Sequence, residues 1–199
     1  FDECSSLKSI NIPSGVTKID LFTFTNCSSL KNIVLPDALT SIRSSAFQGC
    51  SSLESINIPS GVSIIEQKTF FGCSNLKSLA LPETVTRIGS KAFQNCSSLE
   101  SINIPSGVFK IEDNTFVGCS SLKSLILPEA VTSIGAYSFY GCSSLKSLIL
   151  PEAVTSIGSF AFSLCENLES VYVKSMECPE LDDDGYHFAS NANNRKIYV

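Results

Sequence analysis

Cysteine recurs along this chain with a fixed step of 23 residues, and this regularity constrains the fold more than any other feature of the sequence. A phenylalanine precedes each of these cysteines by three residues, and a leucine follows each by three. Repeat periods of about 20 to 50 residues are typical of solenoids, in which each unit packs against its neighbours. The sequence therefore predicts an elongated stack of short units, marked by Cys4, Cys27, Cys50, Cys73, Cys96, Cys119, Cys142 and Cys165.

The apolar residues within one unit predict a short strand followed by a second buried run. The pattern L-x-x-I-x-I-P, which ends at Pro13, alternates apolar and outward-facing residues as a strand does. Proline ends the strand because it has no N–H to continue the ladder. Val16 and Ile19 form the second buried run, and a short helical or irregular return leads to the next cysteine. Parallel stacking at about 4.8 Å would bury the apolar residues in a continuous column.

We expect a single repeat domain over residues 1–199. Residues 1–3 are interpreted as the end of a truncated upstream repeat, so the chain would begin inside a longer array. Residues 4–165 are interpreted as seven 23-residue repeats, and residues 166–199 as degenerate C-terminal capping repeats.

A longer period and an irregular end modify the basic repeat. The units that begin at Cys4, Cys50 and Cys96 share S-I-N-I-P-S-G-V, whereas the units between them carry L-P at the same place. Near the end, Lys174 replaces the repeated proline. Residues 195–199 are predicted to form one more strand after a three-residue insertion.

Composition argues against two classes of binding partner. The formal net charge is −5 and the pI is about 4.9, with no basic block, so the attraction that drives binding to nucleic acids and anionic membranes is missing. No stretch approaches the roughly 18 consecutive apolar residues of a membrane span. We therefore expect no nucleic-acid binding and no membrane insertion.

At this level of detail the repeat resembles a known family. The unit from Cys73 to Cys96, with L-P followed by V-T-x-I and A-F at fixed spacings, resembles BspA-like, or Treponema-type, leucine-rich repeats, and the match covers nearly the whole chain. The ending at residues 196–199 resembles the strand that often closes these arrays. The resemblance implies a right-handed leucine-rich-repeat solenoid of the α/β superhelix class, with mainly short parallel strands. It also implies display on or secretion from host-associated microbes, adhesion to host surface or extracellular-matrix proteins, and no shared catalytic residues.

The periodic cysteines are predicted to be buried reduced thiols. Stacking places their α-carbons within bridging range, but parallel side chains keep the β-carbons near 4.8 Å instead of the preferred distance of about 3.8 Å. Cys178 lies outside the series, and either packs in the cap or is exposed and reactive. Its only possible catalytic or metal partner is His187, the single histidine, and no orienting carboxylate or second soft ligand accompanies this pair.

Other motifs point to structure more than to chemistry. Glu180, Asp182, Asp184 and Gly185 only faintly resemble a calcium loop. Asn26 and Asn95 stand in N-glycosylation sequons, but a role in a turn fits their position better. Ser-x-x-Lys recurs with the repeat and therefore indicates a connection into a strand, at Ser5, Ser28, Ser74, Ser120 and Ser143. We predict no enzyme, no cofactor and no metal site.

The predicted strand face is the most informative surface. Alternation places two rows of side chains outward. One row is small and polar: Ser9, Asn32, Ser55, Ser78, Ser101, Ser124, Ser147 and Ser170. The other, here called the variable row, is a candidate protein-binding site on the concave sheet: Asn11, Val34, Asn57, Ala80, Asn103, Ile126, Ile149 and Tyr172.

Two functions are compatible with this surface. The first is an extracellular or cell-surface module for protein recognition or adhesion, in which Ile126, Ile149 and Tyr172 form a contact patch. The second is a structural spacer that displays other domains, in which case these three residues merely favour strands or are covered by the cap. The sequence leaves the ligand and the oligomeric state open.

Overall fold

The computed structural model describes residues 1–175, Glu177, residues 179–181 and the backbone of Lys196–Tyr198. These residues form a parallel β-solenoid of about seven turns. Each repeat contributes to two columns of strands. Column A follows the leucine that recurs in each repeat, and it contains β2 (Asn32–Ile33), β4 (Ser55–Ile56), β6 (Ser78–Leu79), β8 (Ser101–Ile102), β11 (Ser147–Leu150), β13 (Ser170–Val173) and β15 (Lys196–Tyr198).

Column B is formed by the second buried run of each repeat. It contains β1 (Lys18–Ile19), β3 (Ser41–Ile42), β5 (Ile64–Ile65), β7 (Arg87–Ile88), β9 (Lys110–Ile111), β10 (Ser133–Ile134), β12 (Ser156–Ile157) and β14 (Glu180–Leu181). The sequence predicted column A as strands and column B only as a buried run. The structure adds that the buried run also pairs in parallel, in the orders β1-β3-β5-β7 and β9-β10-β12-β14.

Strand register follows the 23-residue step. In column B, Lys18 pairs with Ser41, and in column A, Asn32 pairs with Ser55. At the end of column A, Ser170 pairs with Lys196, a step of 26 residues. The predicted final strand after a three-residue insertion is therefore confirmed.

The return segment contains turns, and the described residues include no helix, so the return takes the irregular one of its two predicted forms, helical or irregular. The cause lies in the backbone hydrogen bonds. The N–H of Phe47 reaches the carbonyl of Thr69 in the next repeat, while that of Ala46 reaches back only to Arg43. Left-handed residues also interrupt each return, as at Ser45 and Gly49, and a helix cannot pass through them.

Phenylalanine rings form the centre of the core. Seven of these rings, from Phe24 to Phe162, are completely buried. Neighbouring rings in this series stack with centroids 5.3 to 5.7 Å apart and planes 3 to 11° apart. The fixed position of phenylalanine in the sequence thus becomes a continuous stack along the solenoid.

The cysteines run beside this stack and are free thiols, seven of them buried and Cys4 exposed. The thiol of Cys50 donates a hydrogen bond of 3.0 Å to the carbonyl oxygen of Phe24, and each later thiol repeats the contact one repeat further on. Burial raises the pKa of the Cys50, Cys96 and Cys165 thiols to about 12. The prediction of buried reduced thiols is confirmed for the seven cysteines from Cys27 to Cys165 and is wrong for Cys4, which is exposed. Cys178 lies outside the described residues.

Candidate protein-binding face

All eight residues of the variable row are exposed, as their predicted alternation with the core requires. The largest apolar members are also among the most exposed, with Ile126 at 85%, Val34 at 76%, Ile149 at 51% and Tyr172 at 44%. The neighbouring small polar row is exposed from Ser9 to Ser147 and half-buried at Ser170. The face of column A is therefore covered mainly by small polar groups, and a few exposed apolar side chains project from it.

The apolar members of the row at its C-terminal end are neighbours in space. Ile149 pairs directly with Tyr172 across β11 and β13. Ile126 occupies the same place one repeat earlier. These three side chains form a patch on the surface, here called the apolar patch, at the positions that the sequence predicted.

Proline limits the ladder of column A, as one exception shows. Where Lys174 replaces the repeated proline, its N–H donates to the carbonyl oxygen of Leu150 over 3.1 Å, and β11 and β13 pair over four residues. Repeats that keep the proline pair over two residues, as β6 and β8 do. The missing N–H of proline thus shortens the strands.

Asn103 replaces part of the missing ladder with its side chain. Its Oδ1 accepts a hydrogen bond of 2.8 Å from the N–H of Leu81, and its Nδ2 donates one of 2.9 Å to the carbonyl oxygen of the same residue. In regular register, the carbonyl of Leu81 would be bonded by the residue at position 105, which is Pro105 and has no N–H. A side-chain amide therefore takes the place of the backbone.

Column A is interrupted after β8. Residues 124–127 form no assigned strand, and the next strand is β11. A similar interruption separates β4 from β6, 46 residues earlier, so the longer sequence period is also visible in the pairing.

A depression of about 660 Å³ opens on the outward face at the interruption after β8. Its walls carry no charged side chain. Variable-row and small polar side chains surround it, and its floor includes buried core residues: the lining is Ser78, Leu79, Ala80, Ser101, Ile102, Asn103, Ile104, Ser124, Ile126 and Pro128. This size and this mixture of apolar and polar groups are typical of ligand-binding clefts.

Charged groups lie elsewhere on the surface. Lys123 and Glu100 form an ion pair of 2.6 Å, and this hydrogen bond lowers the pKa of Glu100. A second depression, of about 380 Å³, lies over Gly89 beside column B and is lined by Glu66, Arg87 and Glu112. Its charges are paired, since Glu66 contacts Arg43 and Glu112 contacts Arg87 and Lys110.

The serines of the Ser-x-x-Lys motifs have a structural role. The hydroxyl of Ser74 donates to the carbonyl oxygen of Ser51, and the hydroxyl of Ser97 donates to the carbonyl oxygen of Ser74. The same contact continues to Ser143. A hydroxyl in a continuous structural row of this kind is not positioned as an isolated nucleophile, as the sequence indicated.

The sequon asparagines occupy left-handed turns, with φ of 56° at Asn26 and 61° at Asn95. Glycine stands at the same place in the following repeats, with φ of 72° at Gly49 and 70° at Gly118. Asparagine and glycine tolerate this conformation better than other residues, so the predicted turn role is confirmed. Both asparagines are exposed, and their glycosylation stays an open question.

The remaining candidate residues fall largely outside the described part of the chain. Glu180 lies in β14, while Asp182, Asp184, Gly185, Cys178 and His187 are outside the description. Among the described residues, no group of three or more histidine, cysteine or acidic side chains is placed to hold a metal. The same residues contain no helix with the length and hydropathy of a membrane span.

Known proteins share this repeat and this fold. A family model for the BspA type leucine rich repeat region matches residues 1–123 and 109–198, with six copies. A leucine-rich repeat protein from Bacteroides ovatus is 35% identical with a TM-score of 0.79, over 83% of this chain and 47% of that one. The chain thus spans about half the length of the Bacteroides protein.

Two further solved structures are similar. The leucine rich repeat protein of T. pallidum is 38% identical with a TM-score of 0.68, over 73% of this chain and 68% of that one. A leucine rich cell surface protein from Faecalibacterium prausnitzii is 28% identical with a TM-score of 0.61, over 89% of this chain and 62% of that one. A search of curated proteins finds no significant match.

Proposed function

Since this chain belongs to the family of BspA-type leucine-rich repeats, we propose that it is a cell-surface recognition module that binds a protein through the outward face of column A. The Faecalibacterium relative, a cell surface protein, supports the location. Extended sheet surfaces of solenoids are well suited to binding proteins because they offer a large, regular area. The proposal assigns the chain no catalytic step. By its resemblance to adhesive family members, a host surface or extracellular-matrix protein is the proposed ligand.

The apolar patch is the observation that carries the proposal. Ile149 and Tyr172 pair directly, Ile126 occupies the equivalent place one repeat earlier, and the three expose between 44% and 85% of their surface, although the rest of the face is mainly small and polar. Adjacent exposed apolar side chains with a polar surround are typical of the centre of a protein interface. Their burial against a partner would supply the hydrophobic contribution to binding.

A charge substitution tests this function. We expect Ile126→Asp with Ile149→Asp to weaken binding to a responsive member of a panel of purified extracellular-matrix proteins by at least about tenfold, because a buried unpaired carboxylate opposes association. Asn11→Asp with Asn57→Asp adds the same charge to the same row at a distance and should leave the affinity within about threefold. Biolayer interferometry measures both.

The spacer alternative makes the opposite prediction. A spacer would tolerate both double substitutions equally, and its function would depend only on the length of the array. Equal binding by the two variants and by the parent chain would contradict recognition through column A.

A further inference from the structure

Ile104 lines the column A depression, and it shares with Leu35, Ile58 and Leu127, at the equivalent place of other repeats, a main chain without hydrogen bonds in the described structure. Among the described residues, neither its N–H nor its C=O has a hydrogen-bond partner, although the residue is only 8% exposed. Buried backbone groups of this kind are rare because each requires a partner in place of water. Ile104 therefore brings one donor and one acceptor without a protein partner to the lining of the depression.

The repeat itself shows what such a ligand would be. Ile104 occupies the place that Leu81 has one repeat earlier, and the N–H and C=O of Leu81 are both bound by the carboxamide of Asn103. One repeat further on, the place of Asn103 is taken by Ile126, which has no polar side-chain atom. Pro128 has no N–H for the ladder either. Ile104 therefore lacks a counterpart of the clamp, as we call the side-chain carboxamide of Asn103 that bonds the N–H and C=O of Leu81.

We propose that the depression binds a primary carboxamide, the side chain of an asparagine or glutamine in an extended segment of a protein partner, on the N–H and C=O of Ile104. This inference rests on the proposed function and names the group that the face recognises. The partner's carboxamide oxygen accepts from the N–H, and its NH2 donates to the C=O, as Asn103 does in the neighbouring repeat.

The geometry of amides makes this recognition specific. A primary carboxamide presents an acceptor and a donor on the same side of its plane, so it can bond both groups of one residue. One trans peptide group directs its N–H and C=O to opposite sides, so a main chain could bond both groups only as an antiparallel strand, through the N–H and C=O of one residue, and the leucine peptide tests this alternative. A carboxylate has acceptors only, and an aliphatic side chain has neither.

The surroundings of Ile104 favour the same ligand. No charged side chain lines the depression, so a neutral polar group is preferred over an ion. Ile126 stands at the edge, 85% exposed, and offers an apolar contact to the residue beside the amide. Ser101 and Ser124 add hydroxyl groups along the same wall.

NMR titration with short peptides tests the inference. The probe is the pentapeptide Thr-Val-Asn-Val-Thr, N-acetylated and closed with an N-methylamide, so that asparagine supplies its only primary carboxamide. Two matched peptides carry leucine or aspartate in the central position. We expect the asparagine peptide to shift the amide signals of Ile104 and Ile126, and the two others to bind at least about tenfold more weakly.

Substitution of the protein supplies the second half of the test. Ile126→Asn places a carboxamide where Asn103 has one. Because Asn57 makes no such bonds, the Ile104 amide signal of the free variant shows whether the new side chain binds Ile104, and where it does, binding of the asparagine peptide should be lost. Ile149→Asn makes the same change one repeat further on and should leave binding intact. Both positions are exposed, so both variants should fold, which circular dichroism checks.

The outcomes separate this inference from the proposed function. Equal binding of the leucine and asparagine peptides, no detectable binding of any peptide, or full binding to an Ile126→Asn variant whose asparagine shifts the Ile104 amide signal would overturn the carboxamide site. If the paired aspartate substitutions still abolish binding to the matrix protein, recognition through column A stands without it. If the peptide behaves as expected and the aspartate variants bind the matrix protein normally, the carboxamide site stands and the proposed protein function fails.

Discussion

The thiol of Cys96 donates a hydrogen bond to the carbonyl oxygen of Phe70, 26 residues earlier in the chain, over 3.1 Å. Both residues are completely buried, so this contact joins two repeats inside the core. The thiol therefore serves as a donor as well as a small apolar side chain. Because it must be protonated to donate, the stability of the solenoid is linked to pH.

We expect the protein to lose stability between pH 9 and 12. An unfolded thiol releases its proton near its ordinary pKa of 9.0, whereas burial raises that of Cys96 to about 12 in the fold. The folded state thus binds more protons in this range, so the stabilisation is complete below pH 9 and is lost as the pH rises. Each such thiol should lower the free energy of unfolding by about 1.4 kcal/mol per pH unit.

Urea unfolding at pH 8, 10 and 11 measures this effect, and Cys96→Ser isolates one thiol. The serine retains a donor and does not ionise in this range. The variant's free energy of unfolding should therefore fall less steeply with pH, by about 1.4 kcal/mol per pH unit. Identical slopes for the variant and the parent chain would contradict the prediction.

Replacement of Asn103 by alanine tests the side-chain clamp. Loss of its two hydrogen bonds leaves the N–H and C=O of Leu81 without their partner, and we expect the free energy of unfolding to fall by about 1 to 3 kcal/mol. Asn57→Ala is the control, since Asn57 has the same sequence context and no side-chain hydrogen bond in the described structure. It should change stability by less than about 0.5 kcal/mol, and equal losses at both positions would count against the clamp.

Ser138 and Thr115 occupy the same place in successive repeats and should respond in opposite ways to alanine. The hydroxyl of Thr115 donates to the carbonyl oxygen of Glu112 over 2.6 Å, and its loss should lower the free energy of unfolding by about 1 to 2 kcal/mol. The hydroxyl of Ser138 is buried and has no partner in the described structure. Ser138→Ala should therefore raise the free energy of unfolding by up to about 1 kcal/mol.

Thermal and urea unfolding of the two alanine variants give the comparison. Alanine already occupies this place at Ala92 and Ala161, so the substitution introduces no new shape. A destabilised Ser138→Ala would show that its hydroxyl has a favourable interaction after all.

Proline in place of Lys174 should shorten the ladder between β11 and β13. The substitution removes the N–H that donates to the carbonyl oxygen of Leu150, and we expect a loss of about 1 to 3 kcal/mol. Lys174→Ala keeps the N–H and removes only the exposed ion pair with Glu129, so it should change stability by less than about 0.5 kcal/mol. Amide hydrogen exchange at residue 174 in the parent and alanine proteins checks the bond directly. Equal losses from proline and alanine would assign the effect to the side chain.

The sequence predicted the parts of this fold that depend on the same residue recurring at the same position of each repeat. A fixed step for cysteine, leucine and phenylalanine is enough to place them in one core, because stacked units must bring equivalent positions together. The exposure of Ile126, Ile149 and Tyr172 followed from simple alternation along column A.

Features that depend on local backbone geometry could not be predicted. Column B strands are two residues long, too short for a periodic pattern to distinguish them from other buried segments. One left-handed position of each return carries residues as different as Phe22, Lys68 and Tyr137, so no glycine signal marks it. The clamp of Asn103 was missed for a similar reason, because Asn57 has the same neighbours in sequence without the same bonds.

The thiol bonds all span 26 residues, and the bonds along the serine row all span 23. A segment copied or deleted as a whole unit therefore finds the same partners on both sides as the original did. Recombination can lengthen or shorten such an array without disturbing its interior, and the length of the array becomes a quantity that evolution can adjust in steps of one repeat.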